Sequence, residues 1–283
     1  MKTTTELQTI ATQIRRDILR MTTAAKSGHP GGSMGTADWM VAMQFNIMKH
    51  DPKHFTMDGK GQDMLFVSQG HITPVIYSTM ARVGYFPVEE LKTFRKFGTR
   101  LQGHPSTEHG LPGIRMASGS LGQGMSVGIG AALGKKMTGD DSLVYTLHGD
   151  GELQEGQIWE AVMFAGAKHV DNYIATIDFN HQQIDGTTMQ VMDLGDLKAK
   201  FEAFQWKVVV IANGNDMQQV LDGMAKAKAL TGQGAPVAVI LTTEMGYGVD
   251  FMQGINKYHG AVVSEEDLPK ALAQLPETEL GDF

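Results

Sequence analysis

Gly149-Asp150-Gly151 closes an apolar run, and after the 28 residues 152–179 a second apolar run ends at Asn180. A carboxylate and a side-chain amide are hard oxygen donors. Few protein charges around such donors suit Mg²⁺, which keeps phosphate oxygens in its shell. The two glycines leave room for an anionic group to come close to the backbone. A strand, a helix and a second strand fit this stretch. In a right-handed βαβ unit the two strands lie side by side with their carboxyl ends at one edge, where ligands of open α/β sheets bind. Asp150 and Asn180 then present two oxygen ligands to a metal-bridged diphosphate. The alternative is a plain turn in which Asp150 caps the following helix by accepting from its free N–H groups.

The elements that must carry these residues are legible along the chain. Leu7, Ile10, Ile14, Ile18 and Met21 recur at helical spacing and predict a helix over 5–26. Gly28 and Pro30 read as its stop. A second helix is expected around 36–48, after a turn at Gly31 and Gly32. Residues 64–68 read as a short buried strand, 74–83 and 87–97 as helices, and 98–120 as loop. The 87–97 helix would carry Leu91, Phe94 and Phe97 on one side. Over 122–138 five glycines interrupt an apolar helical pattern. Each interior glycine costs about 1 kcal/mol against alanine, so a helix there implies that another backbone or a ligand comes very close.

Strands are expected at 142–147, 173–178, 208–211 and 237–241, with helices at 154–168 and 217–229. The alternation predicts an α/β fold with a mostly parallel sheet and helices on both faces. No linker divides residues 1–283, which read as one domain with a short acidic tail from about residue 264.

The chain has 283 residues, 24 Lys plus Arg against 31 Asp plus Glu, a net charge of −7 and no cysteine. Such a composition belongs to a folded protein with a sizeable core. Lacking cysteine, it has no disulfide, no thiolate zinc site and no thiol nucleophile. The acidic balance argues against a nucleic-acid partner. No apolar stretch approaches the roughly 18–20 residues needed to span a bilayer, and residues 1–20 lack the apolar block of a secretory signal. A soluble, cytoplasmic protein without membrane contact is the expectation.

Gly149-Asp150-Gly151 followed after 28 residues by Asn180 resembles the signature of thiamine diphosphate enzymes. Flanking stretches narrow the resemblance to the transketolases. These are Ser27-Gly28-His29-Pro30-Gly31-Gly32, Ser68-Gln69-Gly70-His71, Gly103-His104-Pro105, and Ser118-Gly119-Ser120-Leu121-Gly122-Gln123-Gly124. The stretch from Gly149 through Glu155 and Glu160 to Asn180, Ile184, Asp185 and Gly186 completes it. The resemblance runs from about residue 5 to 262 and implies the thiamine diphosphate-binding fold. It places thiamine diphosphate on Mg²⁺, or Ca²⁺ or Mn²⁺ in its place. The metal ligands it implies are Asp150, Asn180 and the backbone carbonyl of Gln182. His71, Gly151 and Ile184 fall at the cofactor, and Gly119, Ser120 and Leu121 at its rings.

Transfer of a ketol unit moves protons on hydroxyl oxygens, which histidine can give and take near neutrality. The resemblance puts His29, His104 and His259 beside the reacting carbons. His259, in a Tyr-His-Gly context, also falls in contact with the cofactor. His50, His54, His109, His148, His169 and His181 remain as structural or exposed histidines. Glu155 and Glu160, five apart on one expected helix, do not share a face. By resemblance they belong to an acidic chain linking two active sites across an interface, and otherwise they are surface carboxylates.

Single-chain transketolases continue into a pyrimidine-binding domain that this sequence does not contain. The resemblance therefore implies the N-terminal subunit of a split transketolase, inactive without a separate C-terminal partner subunit. The expected assembly is a hetero-oligomer of two plus two acting on sugar phosphates. Residues 119–134 and 155–169 are its candidate interfaces. Two departures stand out, since the family commonly has proline at Ser120 and lysine–threonine at Thr242-Thr243. A 2-oxoacid dehydrogenase alpha subunit or a deoxyxylulose phosphate synthase relative would share the metal motif but not the three histidines. A non-catalytic binding module is the remaining alternative.

Overall fold

A computed structural model describes residues 1–283. The chain opens with α1 (Thr4–Ala25), whose start is a capping box. The Thr3 side chain accepts from the Glu6 N–H while Glu6 accepts from the Thr3 N–H. Lys26 ends the helix in the left-handed region at φ 51°. The apolar stripe is buried as expected, but Arg15, Arg16 and Asp17 are buried too. Ion pairs make that tolerable, because a buried charge needs a partner. Arg15 pairs with Asp38, Arg82 donates to Asp17 at 2.7 Å, and Arg16 meets Asp282 at 2.7 Å.

The helix expected at 36–48 is present as α3 (Ala37–Ala42) continued by a π-helical turn over Met43–Ile47, and a further short helix, α2 (Pro30–Gly35), precedes it. Gly31 is helical rather than a turn. A Cβ there would lie 2.6 Å from the Tyr258 carbonyl oxygen, so glycine serves close packing of the 244–258 segment. Next come β1 (Met64–Val67), a 3₁₀ turn at Gly70–Ile72 and α4 (Thr73–Val83). Residues 87–97 hold only a 3₁₀ stretch, Val88–Thr93. Arg95 at φ 57° then redirects the chain, leaving Leu91 and Phe94 buried and Phe97 fully in solvent.

After the irregular 94–122 segment run α5 (Gln123–Met137), β2 (Val144–Gly149), a 3₁₀ turn at Gly151–Gln154, α6 (Gly156–Ala167) and β3 (Tyr173–Phe179). A two-residue hairpin turn joins β4 (Gln182–Gln183) to β5 (Gly186–Thr187). The chain continues through α7 (Thr188–Met192), α8 (Leu197–Ala203), β6 (Lys207–Ile211), α9 (Met217–Ala229) and β7 (Val237–Thr242). A 3₁₀ turn at Asn256–His259 and α10 (Leu268–Leu272) complete it. Short α7 and α8 carried no periodic signal. Both begin at side-chain caps, Thr187 and Asp196.

The main sheet is five-stranded and parallel, in the order β1-β2-β3-β7-β6. Alternate strand residues feed two cores. Tyr145, Leu147, Ile174, Val237 and Val239 face the layer of α1, α3, α4 and α9. Val144, Tyr173, Ala175, Ala238 and Ile240 face α5, α6 and α8. Gly128 in α5 has the close neighbour that its cost required, since a Cβ would sit 2.4 Å from Thr146 Cγ2 on β2. Gly130 and Gly134, on the outer side, have nothing within 4 Å. The acidic C-terminal end lies along α1, where Asp282 meets Arg16 and Arg20 donates to the Phe283 carbonyl at 2.8 Å. No helix is long and apolar enough to cross a membrane.

Candidate active site

Register aligns the carboxyl ends of the strands. Gly149 pairs with Asp178 and Phe179 with Thr242, so the residues that follow emerge along one edge. Asp150 stands first after β2, only 1 % exposed. Its carboxylate accepts from the Gly151 N–H at 2.8 Å and from the His181 N–H at 2.6 Å, tying the β2 end to the β3 end. Asn180 follows β3. Its amide donates to Asp178 at 3.0 Å and its carbonyl accepts from the Gln182 N–H at 2.9 Å. Asp178 is fully buried and also accepts from the Thr243 hydroxyl and, at 3.5 Å, from Gln69.

Burial, and Asp178 next to it, push the Asp150 carboxyl up to about 8, and burial pushes Asp178 up to about 6. No side-chain cation offsets either group. A divalent cation at Asp150, Asn180 and the Gln182 carbonyl would hold Asp150 charged. No three His, Asp or Glu side chains are arranged to chelate by themselves. A cation on this donor set would complete its shell with oxygens of its ligand, as Mg²⁺ does on a diphosphate. The residues present therefore fit a metal-held diphosphate.

Above this edge four histidines converge from far-apart segments. His29 precedes α2, His71 lies in the turn after β1, His104 in the 94–122 segment and His259 at the end of the 256–259 turn. Ring centroids lie 5.0 Å apart for His29–His71, 5.3 Å for His71–His259, 5.8 Å for His29–His259 and 6.4 Å for His29–His104. Burial first, then His259, Arg95 and His104, lower His29 to about 4. Burial lowers His71, His104 and His259 as well. All four are thus neutral near pH 7, each with one donor and one acceptor nitrogen. The His29 Nδ1 is buried without a partner.

A cavity of about 350 Å³ joins the two parts, lined by His29, His71, His104, His259, Gly119, Leu121, Asp150, Gly151, Glu155, Asn180, Gln182 and Ile184. Of the residues read from sequence, Ser120 and Glu160 are not on its wall. Ser120 is exposed on the loop beside Gly119 and Leu121. Glu160 lies on α6 facing a separate groove with Ile129, Leu133 and Phe164. Glu155 does not share a helix with it as expected, because Glu155 is the extended residue before α6, at φ −73° and ψ 129°. A larger cavity, about 1080 Å³, opens beside the amino ends of β1 and β2 near Asp63 and Ser142, and contains none of these residues.

Sequence reasoning missed several groups here. Arg95 donates to Ser27 Oγ at 2.8 Å and to the Gly103 carbonyl at 3.3 Å, bracing the neighbours of His29 and His104. Glu152 and Asp178 are buried around the strand ends, next to Gln69 and to His148, which is structural as expected. A carboxylate inside the apolar run of β3, Asp178, was a visible signal. Arg95 gave none.

The family profile described as "Transketolase, thiamine diphosphate binding domain" matches residues 7–277. Among curated relatives, the 6-deoxy-6-sulfo-D-fructose transketolase subunit SqwG of Clostridium sp. (strain MSTE9) is 38% identical over 270 residues, covering 95% of this chain and 96% of that protein. An apulose-4-phosphate transketolase subunit of Phocaeicola vulgatus is 35% identical, covering 93% of this chain and 91% of its own length. Among solved structures, the transketolase of Campylobacter jejuni superposes with a TM-score of 0.88 at 32% identity, over 97% of this chain but 43% of the longer one. A match this extensive shows that the chain belongs to the transketolase family.

Proposed function

We propose that this chain is the thiamine diphosphate-binding subunit of a two-chain transketolase, moving a two-carbon ketol unit from a ketose to an aldose. The observation that carries the reading is the convergence of four neutral histidines on the cavity that opens at Asp150 and Asn180. Asp150, Asn180 and the Gln182 carbonyl would hold Mg²⁺, and Gly151, where a Cβ would lie 2.7 Å from the Gln183 side chain, would face the diphosphate through its backbone alone. Thiamine diphosphate, when bound there, would supply a carbon nucleophile.

The chain's own residues then bind, orient and move protons. Gly119 and Leu121 offer backbone groups to the cofactor rings, with Ser120 beside them at the exposed rim, and Ile184 packs at the opposite wall. His71 and His259, with rings 5.3 Å apart, close the cavity over the diphosphate side. His29 and His259 exchange protons with the sugar hydroxyls, and His104 positions the donor hydroxyls. Neutral imidazoles suit this role because one nitrogen gives a proton while another accepts.

Glu155 on the cavity wall and Glu160 on the outer face of α6 belong to an acidic path toward a neighbouring subunit. Two relatives that are themselves subunits are named for a sulfonated and a phosphorylated sugar, and the substrates here are ketoses and aldoses with a terminal anionic group, sugar phosphates foremost. A partner subunit supplies the pyrimidine-binding domain, in a two-plus-two assembly.

The test is capture of tagged protein from its host, identification of the co-purifying chain, and assay of the pair with thiamine diphosphate, Mg²⁺, a ketose phosphate and an aldose phosphate. Ketol transfer by the pair and none by either chain alone is expected. Decarboxylation of a 2-oxoacid instead, or a chain that purifies alone and binds no cofactor, would overturn the reading.

A further inference from the structure

On the wall of the cavity lies a buried carboxylate with four close polar neighbours from three separate segments. Glu152, 2 % exposed, follows Asp150 by two residues and turns inward from the 3₁₀ turn. One of its oxygens accepts from the Ser68 hydroxyl and from the Gly122 N–H at 2.8 Å. The other accepts from the Gly149 N–H at 3.1 Å. The fully buried His148 ring stands 3.4 Å away. Ser68 in turn accepts from the Gly124 N–H at 3.0 Å.

Glu152 and Ser68 thereby serve as the N-terminal cap of α5, whose own N-cap, Gly122, has no side chain to offer. A Cβ at Gly124 would lie 2.4 Å from Ser68, and one at Gly70 would lie 2.7 Å from the Ser118 backbone, so the segments interlock without slack. Burial would push the Glu152 carboxyl up, but His148, Ser68 and the backbone donors outweigh it and hold the group below the usual carboxylate range.

The segments joined are the ones that carry the site. Ser68 leads into Gln69 and His71, Gly122 ends the loop of Gly119 to Leu121, and Gly149 leads into Asp150. We infer that Glu152 is a positioning residue for the cofactor: its carboxylate locks the 118–124 loop and the His71 turn to the Asp150 strand end, so that cofactor affinity depends on it more than the chemical step does. This rests on the functional reading above. Glutamine keeps the shape, but its NH₂ must face a donor, either the Gly149 N–H or the Gly122 N–H and Ser68 hydroxyl.

The test compares wild type and Glu152→Gln in the full chain and in the assembled enzyme. Hydrogen exchange at 118–124 and 69–72, the thiamine diphosphate concentration for half-saturation with Mg²⁺, and kcat at saturating cofactor are read together. Exchange at both segments should quicken by roughly tenfold or more, the equivalent of losing a hydrogen bond to a charged group. Half-saturation should rise by a similar factor, and by more than kcat falls. Should Glu152→Gln fail to fold, Ser68→Ala removes one arm of the lock and should shift the same readings in the same direction. Unchanged protection, or a loss of kcat with unchanged half-saturation, overturns the inference alone. A wild-type enzyme that never saturates with thiamine diphosphate overturns the functional reading, and the inference with it.

Discussion

At Asp150 a proton and a divalent cation compete for one carboxylate. With its carboxyl pushed up to about 8 by burial and by Asp178, the chain must release a proton below that value before a cation can bind. The raised value stabilises the protonated form, so falling pH disfavours the cation. Apparent Mg²⁺ affinity should therefore climb from pH 6 toward 8, by up to about tenfold per pH unit, and level off above. Calorimetry in buffers of different ionisation enthalpy would detect the released proton. In the assembled enzyme Asp150→Ala should abolish Mg²⁺-dependent cofactor binding, and unchanged dependence would remove Asp150 from the metal. His29 makes a contrasting case. Its ring stands among three other imidazoles, and its Nδ1 is unpartnered. His29→Gln should lower kcat by roughly 10²–10⁴-fold, the usual contribution of a proton-transfer group, with a far smaller change in cofactor half-saturation. Equal losses in both would make His29 a binding group instead.

Helix α5 shows how an element is tuned by what lies on each side of it. Its inner glycines meet Ser68, just after β1, and Thr146 on β2, while Gly130 and Gly134 face outward into open space. Gly128→Ala drives a methyl to 2.4 Å from Thr146 Cγ2 and should cost about 1–3 kcal/mol of stability. Gly130→Ala meets nothing and should stabilise the isolated chain by about 0.5–1 kcal/mol through helix propensity. Denaturant melts of the two variants distinguish them by sign. The five-glycine pattern was visible in the sequence, and so was the conclusion that something must come close. Which glycines meet the sheet was not visible, because α5 lacks the one-sided apolar stripe that would have oriented it. Outside, Val127 and Met163 remain 40% and 55% exposed, and Phe164, 45% exposed, lines the groove that holds Glu160.

At the scale of the whole molecule, the outer face of α5 and α6 and the stretch of exposed Ile184 at the cavity with Met189 and Met192 just after it leave several large apolar side chains in water. The chain covers 43% of the Campylobacter jejuni transketolase it superposes on. In the proposed assembly other subunits cover these surfaces. Phe164→Asp places a charge in the α5–α6 face and should weaken assembly by tenfold or more, as a lost apolar anchor does. Light scattering of the mixed chains as a function of concentration measures it. Retention of full assembly by this variant would move the interface elsewhere.

Sequence alone determined what is local or strictly spaced. It placed the alternation of strands and helices, the apolar stripe of α1, the strand-end carboxylate and amide 30 positions apart, and the histidine motifs. Periodicity and motif spacing report on neighbours along the chain, so these survived folding with shifted ends. Tertiary structure decided what depends on contacts between distant segments. It gathered His29, His71, His104 and His259 around one cavity, and it buried both faces of α1 through charge pairs that reach as far as Asp282. It widened the end of the 36–48 helix into a π turn and turned Phe97 outward. It separated Glu155 from Glu160, and it made Glu152, a glutamate with no signal of its own in the sequence, the knot of three site segments. A carboxylate's worth is set by the donors that surround it, and those donors come from residues 68, 122 and 149, which only the folded sheet brings within reach of residue 152.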